Sequence, residues 1–190
     1  EGTPLYRSDL DGESRELIRS YFLLTNKPVL AIVNVGEDDL DRIDELAAPV
    51  VAELGDHGEV IGMCVQLEAE AAQLDLDERA EMLEGLGLGE GALPRFLQTA
   101  YRMLGLRTFF TTGEKESRAW TFRAGWKAPR CAGVIHTDFE RGFIRAEVIH
   151  WDELLAAGGW SKARDLGALR VEGKDYVMAD GDVVEFRFNV

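Results

Sequence analysis

Five apolar residues in a row, Val29-Leu30-Ala31-Ile32-Val33, stand between Pro28 and Asn34. The run is strand-sized and does not alternate, which fits a strand of a parallel sheet buried on both faces. Pro28 also closes what precedes it, because the residue before a proline avoids helical angles. A helix is therefore expected from Asp11 to about Leu24, with Leu17, Ile18, Tyr21, Phe22 and Leu24 on its apolar face. After Asn34-Val35-Gly36-Glu37, Asp38 or Asp39 is placed to cap a second helix carrying Leu40, Ile43, Leu46, Ala47, Val50, Val51 and Leu54 on one side. Pro49 is expected to kink or break it. A turn then leads to a second strand over residues 60–65, so the order is strand, helix, strand: a βαβ unit. Helices are expected over residues 77–86 and 93–104.

The texture changes after Gly105. Residues 108–111 and 118–122 read as a hairpin around Gly113, residues 129–135 as a short helix, 143–149 as a strand and 151–156 as another helix. Strands over 174–178 and 183–190 are joined by the turn sequence Ala179-Asp180-Gly181-Asp182. Short strands around small helices make this half α+β.

Charge divides the chain at the same place. Residues 1–105 hold 8 basic and 22 acidic side chains, a net of −14, whereas residues 106–190 hold 13 of each and are neutral. Such a shift marks a domain boundary near Gly105. The acidic half repels nucleic acid, while the neutral half can present a local basic face. With 46% hydrophobic and 29% charged residues the 190-residue chain is globular, and it is long enough for one large domain or two small ones. No apolar run approaches the roughly 18 residues that span a membrane. No signal peptide is visible at the start, and Glu1 in place of Met suggests a piece of a longer chain. Cys64 and Cys131 lack Cys-x-x-Cys spacing and read as reduced thiols of a cytosolic protein.

Open α/β sheets bind ligands at the carboxyl ends of their strands. Asn34-Val35-Gly36-Glu37 lies at one such end and Cys64-Val65-Gln66 at the next. Asn34 offers an amide to lock a loop, Glu37 an acceptor for exocyclic amines, and the second segment backbone N–H groups. By pattern alone an ordinary strand-to-helix turn accounts for the same residues. No G-x-x-x-x-G-K-[ST] motif occurs, and Gly85, Gly87, Gly89 and Gly91 are followed by no Lys-Ser or Lys-Thr, so they read as a flexible connection. The acidic run Glu37-Asp38-Asp39 reads as favourable charge at a helix start. His57, His136 and His150 are not spaced as metal ligands. A catalytic group from Cys131, His136 and Asp138 is conceivable, but sequence neighbours at a turn rarely point at one reaction centre. Trp120, Trp126, Trp151 and Trp160 accompany Arg118, Arg123, Lys127 and Arg130, a mixture suited to RNA stacking and phosphate contacts; core packing accounts better for Trp120.

Several segments match a known family. Leu106-Arg107-Thr108-Phe109-Phe110-Thr111, Arg118-Ala119-Trp120-Thr121, Gly133-Val134-Ile135-His136-Thr137-Asp138-Phe139, Gly142-Phe143-Ile144-Arg145-Ala146, Glu172-Gly173-Lys174-Asp175-Tyr176, Asp180-Gly181-Asp182 and Phe186-Arg187-Phe188-Asn189-Val190 resemble the TGS domain and carboxyl end of the YchF, or Obg-like ATPase, family of P-loop proteins. Upstream, Asn34-Val35-Gly36-Glu37 is similar to the family's N-x-x-E loop, and Cys64-Val65-Gln66-Leu67-Glu68-Ala69-Glu70 to its following base-contacting loop. The resemblance covers essentially the whole chain. It implies the tail of a helical insertion over residues 1–27 and the carboxyl-terminal part of a nucleotide-binding domain over 28–105. A TGS-like domain would occupy 106–190. In fold class this is the α/β half of a P-loop G-domain followed by an α+β, β-grasp TGS domain.

Carried over residue by residue, Asn34 holds the loop, Val35 flanks the base, Glu37 faces its polar edge, and Cys64 and Val65 approach through backbone. The parent would bind ATP or GTP with Mg2+. The family's P-loop, magnesium ligands and catalytic histidine would lie upstream of Glu1. The resemblance therefore implies a cytoplasmic, monomeric partner of the ribosome or RNA that binds nucleotide weakly if at all and does not hydrolyse it alone. Arg118, Arg123, Lys127 and Arg130 are its candidate RNA contacts. A non-catalytic β-grasp adaptor for a protein partner is the alternative. A hydrolase built on Cys131 or His136 is a third, weaker one.

Overall fold

In the computed structural model, which describes residues 2–113 and 116–189, the chain forms two units, Glu1–Leu104 and Gly105–Val190. Glu1, Val190 at the end of the expected last strand, and positions 114 and 115 at the expected hairpin tip lie outside the described residues.

The first unit begins with α1 (Gly12–Leu17), capped by the Asp11 carboxylate, which accepts from the Ser14 N–H at 2.7 Å. The expected helix does not reach Leu24. It gives way to 3-10 turns at Arg19–Tyr21 and Leu24–Asn26, with Phe22 in the left-handed region at φ 54°. Helices of this length depend on packing, and Leu17, Tyr21, Phe22 and Leu24 remain 72–80% exposed. Their apolar spacing thus has no surface to fold onto among the described residues.

Strands β1 (Val29–Asn34) and β2 (Gly58–Met63) pair in parallel, from Val29 opposite Gly58 to Asn34 opposite Met63. Helix α2 (Ile43–Leu54) crosses between them, so the βαβ unit is present. Residues 37–42 form a 3-10 turn rather than the first turns of α2. Pro49 does not break α2. It lies on the exposed face, where the Glu45 carbonyl it leaves unbonded can turn to water. Gly62 lets α2 approach β2: a side chain there would collide with Ile43. β1 is not buried on both faces, because its sheet has only two strands among the described residues and Ile32 is 44% exposed. Helices α3 (Val65–Ala71), α4 (Leu76–Gly85) and α5 (Ala92–Met103) complete the unit. The second strand therefore stops short of Val65, which starts a helix.

The second unit is a five-stranded sheet. β3 (Leu106–Thr112) and β4 (Ser117–Arg123) form the antiparallel hairpin. Helices α6 (Ala128–Ile135) and α7 (Thr137–Arg141) precede β5 (Phe143–His150); α8 (Trp151–Ala157) and α9 (Trp160–Asp165) precede β6 (Arg170–Glu172) and β7 (Asp182–Phe188). The strand order is β4-β3-β7-β5-β6, with β7 parallel to β3 and antiparallel to β5. Residues 174–178 do not form the expected strand. They are held by a single bridge, Val177 to Lys127, and by backbone bonds from Ala128 N to Tyr176 O (2.8 Å) and from Met178 N to Trp126 O (3.0 Å). The place beside β5 is taken by β6.

One sheet face carries the larger core. Phe109, Phe122, Phe143, Ala146, Val148, Val184 and Phe186 meet Ala128, Cys131 and Ala132 of α6. Fully burying Phe109 or Phe122 is worth roughly 2–3 kcal/mol each. On the other face Ile149 and Val183 pack with Ala163, Leu154 and Trp160 of α8 and α9.

The turn before β7 is fixed by carboxylates. Asp180 Oδ1 accepts from the Thr108 N–H at 2.7 Å, and the Gly181 N–H donates to the Thr108 carbonyl at 2.8 Å. Gly181 has φ 85°, and a side chain there would strike His150 and Trp151. Asp182 is fully buried and accepts from the Tyr176 hydroxyl (2.7 Å), the Ala179 N–H (2.9 Å) and Arg170 Nη2 (3.2 Å). Burial, together with the hydrogen bond to this carboxylate, pushes the Tyr176 phenol up to about 12.

Asp182→Ala leaves three donors unmet and is expected to cost the second unit about 3 kcal/mol in urea unfolding. A change under about 1 kcal/mol would contradict the role of the network. His150 gives a pH-dependent counterpart, because its Nδ1 lies 2.5 Å from Asp152 Oδ1. This hydrogen bond raises the imidazole above its ordinary 6.5 and holds Asp152 below its ordinary 3.8. The histidine's contribution is complete below about pH 6.5 and lost as pH rises through the higher folded value; the aspartate's is lost as pH falls below about 4. Wild type should exceed His150→Gln in stability most between those limits, read as thermal midpoints across pH.

Candidate functional site

The parallel register of β1 and β2 brings their carboxyl ends side by side, Asn34 opposite Met63. The Val35 N–H donates to the Met63 carbonyl at 3.0 Å, continuing the ladder one residue into the loop. Asn34 then bridges the two loops: its Oδ1 accepts from the Val65 N–H at 3.0 Å. That bond meets one of the N–H groups left open at the start of α3. Asn34, Glu37, Cys64 and Val65 are thus gathered at one end of the two-stranded sheet. The Val35 and Cys64 side chains turn inward, 7% and 4% exposed, and pack with Leu67.

Glu37 begins the 3-10 turn and is exposed. With Glu70, Glu78 and Glu81 it rims a cavity of about 520 Å³ that also touches Leu67, Met82 and Leu86. Its lining has four carboxylates and no cation, so it repels phosphate and suits amine-bearing, uncharged groups. No cluster of three or more His, Cys, Asp or Glu side chains placed to hold a metal occurs among the described residues.

Sequence reasoning missed Glu68. This carboxylate, 7% exposed, accepts from the N–H groups of Ala92 and Leu93, the latter at 3.4 Å, and so caps α5 from 24 residues away. The cue was present: α5 starts after Gly91, which has no side chain to cap it, so an acceptor must come from elsewhere.

In the second unit the four candidate cations do not form one patch. Arg118 lies over the Trp120 ring, its guanidinium carbon 4.3 Å from the centroid, and Arg130 lies over Trp126 at 4.0 Å. Side chains alternate along a strand; Arg118, Trp120 and Phe122 share the face of β4 that meets α6, and Arg123 is on the other. Lys127 is joined to Asp175 at 2.6 Å. Cys131 is fully buried and its thiol is pushed up to about 12 by burial, so it is protonated at neutral pH. His136 Nδ1 accepts from the Asp138 N–H and caps α7. Each of these two residues has a structural place, and neither contact joins them as a nucleophile and its base.

The molecule is a mixed α/β protein whose two units each offer a polar surface of their own. The family model described as YchF-GTPase_C, a protein of unknown function (DUF933), matches residues 106–189. The Bacillus subtilis protein named Ribosome-binding ATPase YchF is 48% identical over 187 residues, which cover 94% of this chain and 50% of that protein. The Pasteurella multocida protein of the same name is 46% identical, covering 100% of this chain and 53% of its own. The solved structure of the Schizosaccharomyces pombe YchF GTPase superposes with a TM-score of 0.85 at 34% identity, over 97% of this chain and 50% of that one. The chain is homologous to the carboxyl-terminal half of the YchF proteins. It spans about half the length of the curated relatives it matches.

If Asn34 joins the two loops in this way, Asn34→Ala will cost about 1 kcal/mol. The cleaner readout is local: amide exchange at Val65 should speed up while exchange in the second unit stays unchanged.

Proposed function

We propose that this chain is the carboxyl-terminal portion of a cytoplasmic, ribosome-associated, ATP- or GTP-binding protein of YchF type. In this reading the first unit contributes the base-contacting loops of a G-domain and the second is a β-grasp TGS domain. The observation that carries it is the near-complete alignment with proteins named for ribosome binding and ATPase activity. The geometry supports the assignment of roles. Asn34 holds the two loops together through the Val65 N–H, Glu37 lines an anion-repelling cavity suited to the polar edge of a base, and Val35 and Cys64, their side chains buried, would approach a base only through backbone. A bound nucleotide with Mg2+ would bring the phosphate chemistry; these loop residues fit only the base end of it. Phosphoryl transfer depends on cradling phosphates and neutralising their charge, and the acidic first unit does neither.

The chain should pellet with purified ribosomes at low salt, and pelleting should weaken as salt rises if phosphates are contacted. Absence of pelleting at low salt removes the ribosome reading; pelleting insensitive to salt favours an adaptor that meets a protein surface. ATP turnover by the purified chain should stay at background. Turnover that disappears on Asn34→Ala would overturn this division of labour between base-contacting and phosphate-handling segments.

A further inference from the structure

Helix α3 follows directly on the second candidate base-contacting loop, yet its seven residues are too few to hold a helix in place by themselves. Leu67 and Ala71 bury one side of it. Apolar burial is non-directional, so it sets the depth of the helix and leaves its rotation and its position along its axis free. Hydrogen bonds fix these. At the first residue the Val65 N–H donates to Asn34 Oδ1. One turn on, the Glu68 N–H donates to the Cys64 carbonyl at 3.1 Å, while the carboxylate of the same residue receives the Ala92 and Leu93 N–H groups. We propose that Glu68 is a positioning residue for the base-contacting loop: by clamping α3 to the start of α5 it holds the Val65 N–H on Asn34 and keeps the two loops in register for a base. The inference rests on the base-site reading above, and adds a residue that sets the geometry without being one of the candidate base contacts.

The clamp uses both carboxylate oxygens: the Ala92 N–H meets Oε1 and the Leu93 N–H meets Oε2. A helix start offers N–H groups without partners in their own helix and carries a positive partial charge, so it suits a carboxylate. The cap would ordinarily come from the residue just before the helix. Here that residue is Gly91, with φ 83°, and a side chain on it would come within 2.9 Å of Glu68 Oε1. The missing side chain is what admits the carboxylate from α3. A local cap would serve α5 alone; a cap borrowed from α3 also ties α5 to the loop that ends at Cys64. Packing does not take over this task, because a cavity of about 290 Å³ bordered by Gly62, Cys64, Glu68, Gly91 and Arg95 lies beside the contact.

The test follows the Val65 amide by hydrogen exchange in the whole chain. Glu68→Gln keeps the length of the side chain but turns an NH2 group toward one of the two N–H donors, so one bond is lost. Exchange at Val65 should speed up about tenfold, while exchange in β3 and β7 stays unchanged. Asp75→Ala is the control, since it removes an ordinary cap in the same unit: Asp75 Oδ1 accepts from the Asp77 and Glu78 N–H groups at the start of α4. It should change Val65 exchange less than about twofold. Asn34→Ala isolates the route. Adding Glu68→Gln to it should accelerate Val65 less than about twofold further, because the bond through which Glu68 acts is already gone. Equal acceleration by Asp75→Ala overturns the inference, as does a full effect in the Asn34→Ala background or none in the wild-type one. Adenosine titrated into the same samples separates the two readings. It should shift the Asn34 and Val65 amide resonances of the wild type and bind Glu68→Gln at least about threefold more weakly. No shift alongside a tenfold Glu68→Gln effect at Val65 removes the base-site reading and leaves the clamp. Equal binding by wild type and Glu68→Gln keeps the base site and sinks the positioning role.

Discussion

Asp182 places a negative charge where water does not reach, at the first position of the strand around which the second sheet is assembled. A buried carboxylate is stable only when its oxygens are met by donors. Here Tyr176, Ala179 and Arg170 meet them, which fixes the course of residues 176–182. That segment in turn fixes another. The Tyr176 carbonyl receives the Ala128 N–H and the Met178 N–H reaches the Trp126 carbonyl, so the start of α6 and the indole beneath Arg130 are located by bonds that lead back to one aspartate. The sequence separation is large, yet the surface inherits its geometry from this buried group.

Much of the architecture was legible because it follows from local pattern. The 29–33 run, the crossover helix from Ile43 onward and the hairpin over β3 and β4 stand where periodicity places them, whereas the expected Asp38 or Asp39 cap gives way to a 3-10 turn. The errors have common causes. The helix expected to Leu24 failed because periodicity records an apolar face without recording whether a surface exists to cover it. Pro49 was overweighted because its cost depends on which side of the helix faces water. Residues 174–178 read as a strand, but the turn network around Asp182 claims their backbone first. Short helices at Val65–Ala71, Thr137–Arg141 and Trp160–Asp165 are too brief for periodicity to show.

The candidate sites show the same limit. The gathering of Asn34 and Val65 was readable from the order of strands, because parallel neighbours must end together. The inward turn of Val35 and Cys64 was not, since it depends on where Leu67 packs. The basic residues of the second unit looked equivalent on paper. Strand alternation separates Arg118 from Arg123, and only three-dimensional neighbours distinguish Lys127, spent on Asp175, from Arg130.

The position of β7 has a consequence for how the molecule is made. Of the five strands in its sheet it is synthesised last, yet it lies in the middle, where both β3 and β5 await it. During vectorial synthesis the β3–β4 hairpin and β5 emerge with Phe109 and Phe143 still lacking Phe186, their eventual ring partner. High contact order slows folding and leaves such apolar surface open in the meantime. The nascent second unit therefore remains an unfinished sheet until residues 182–188 are free to enter between the waiting strands.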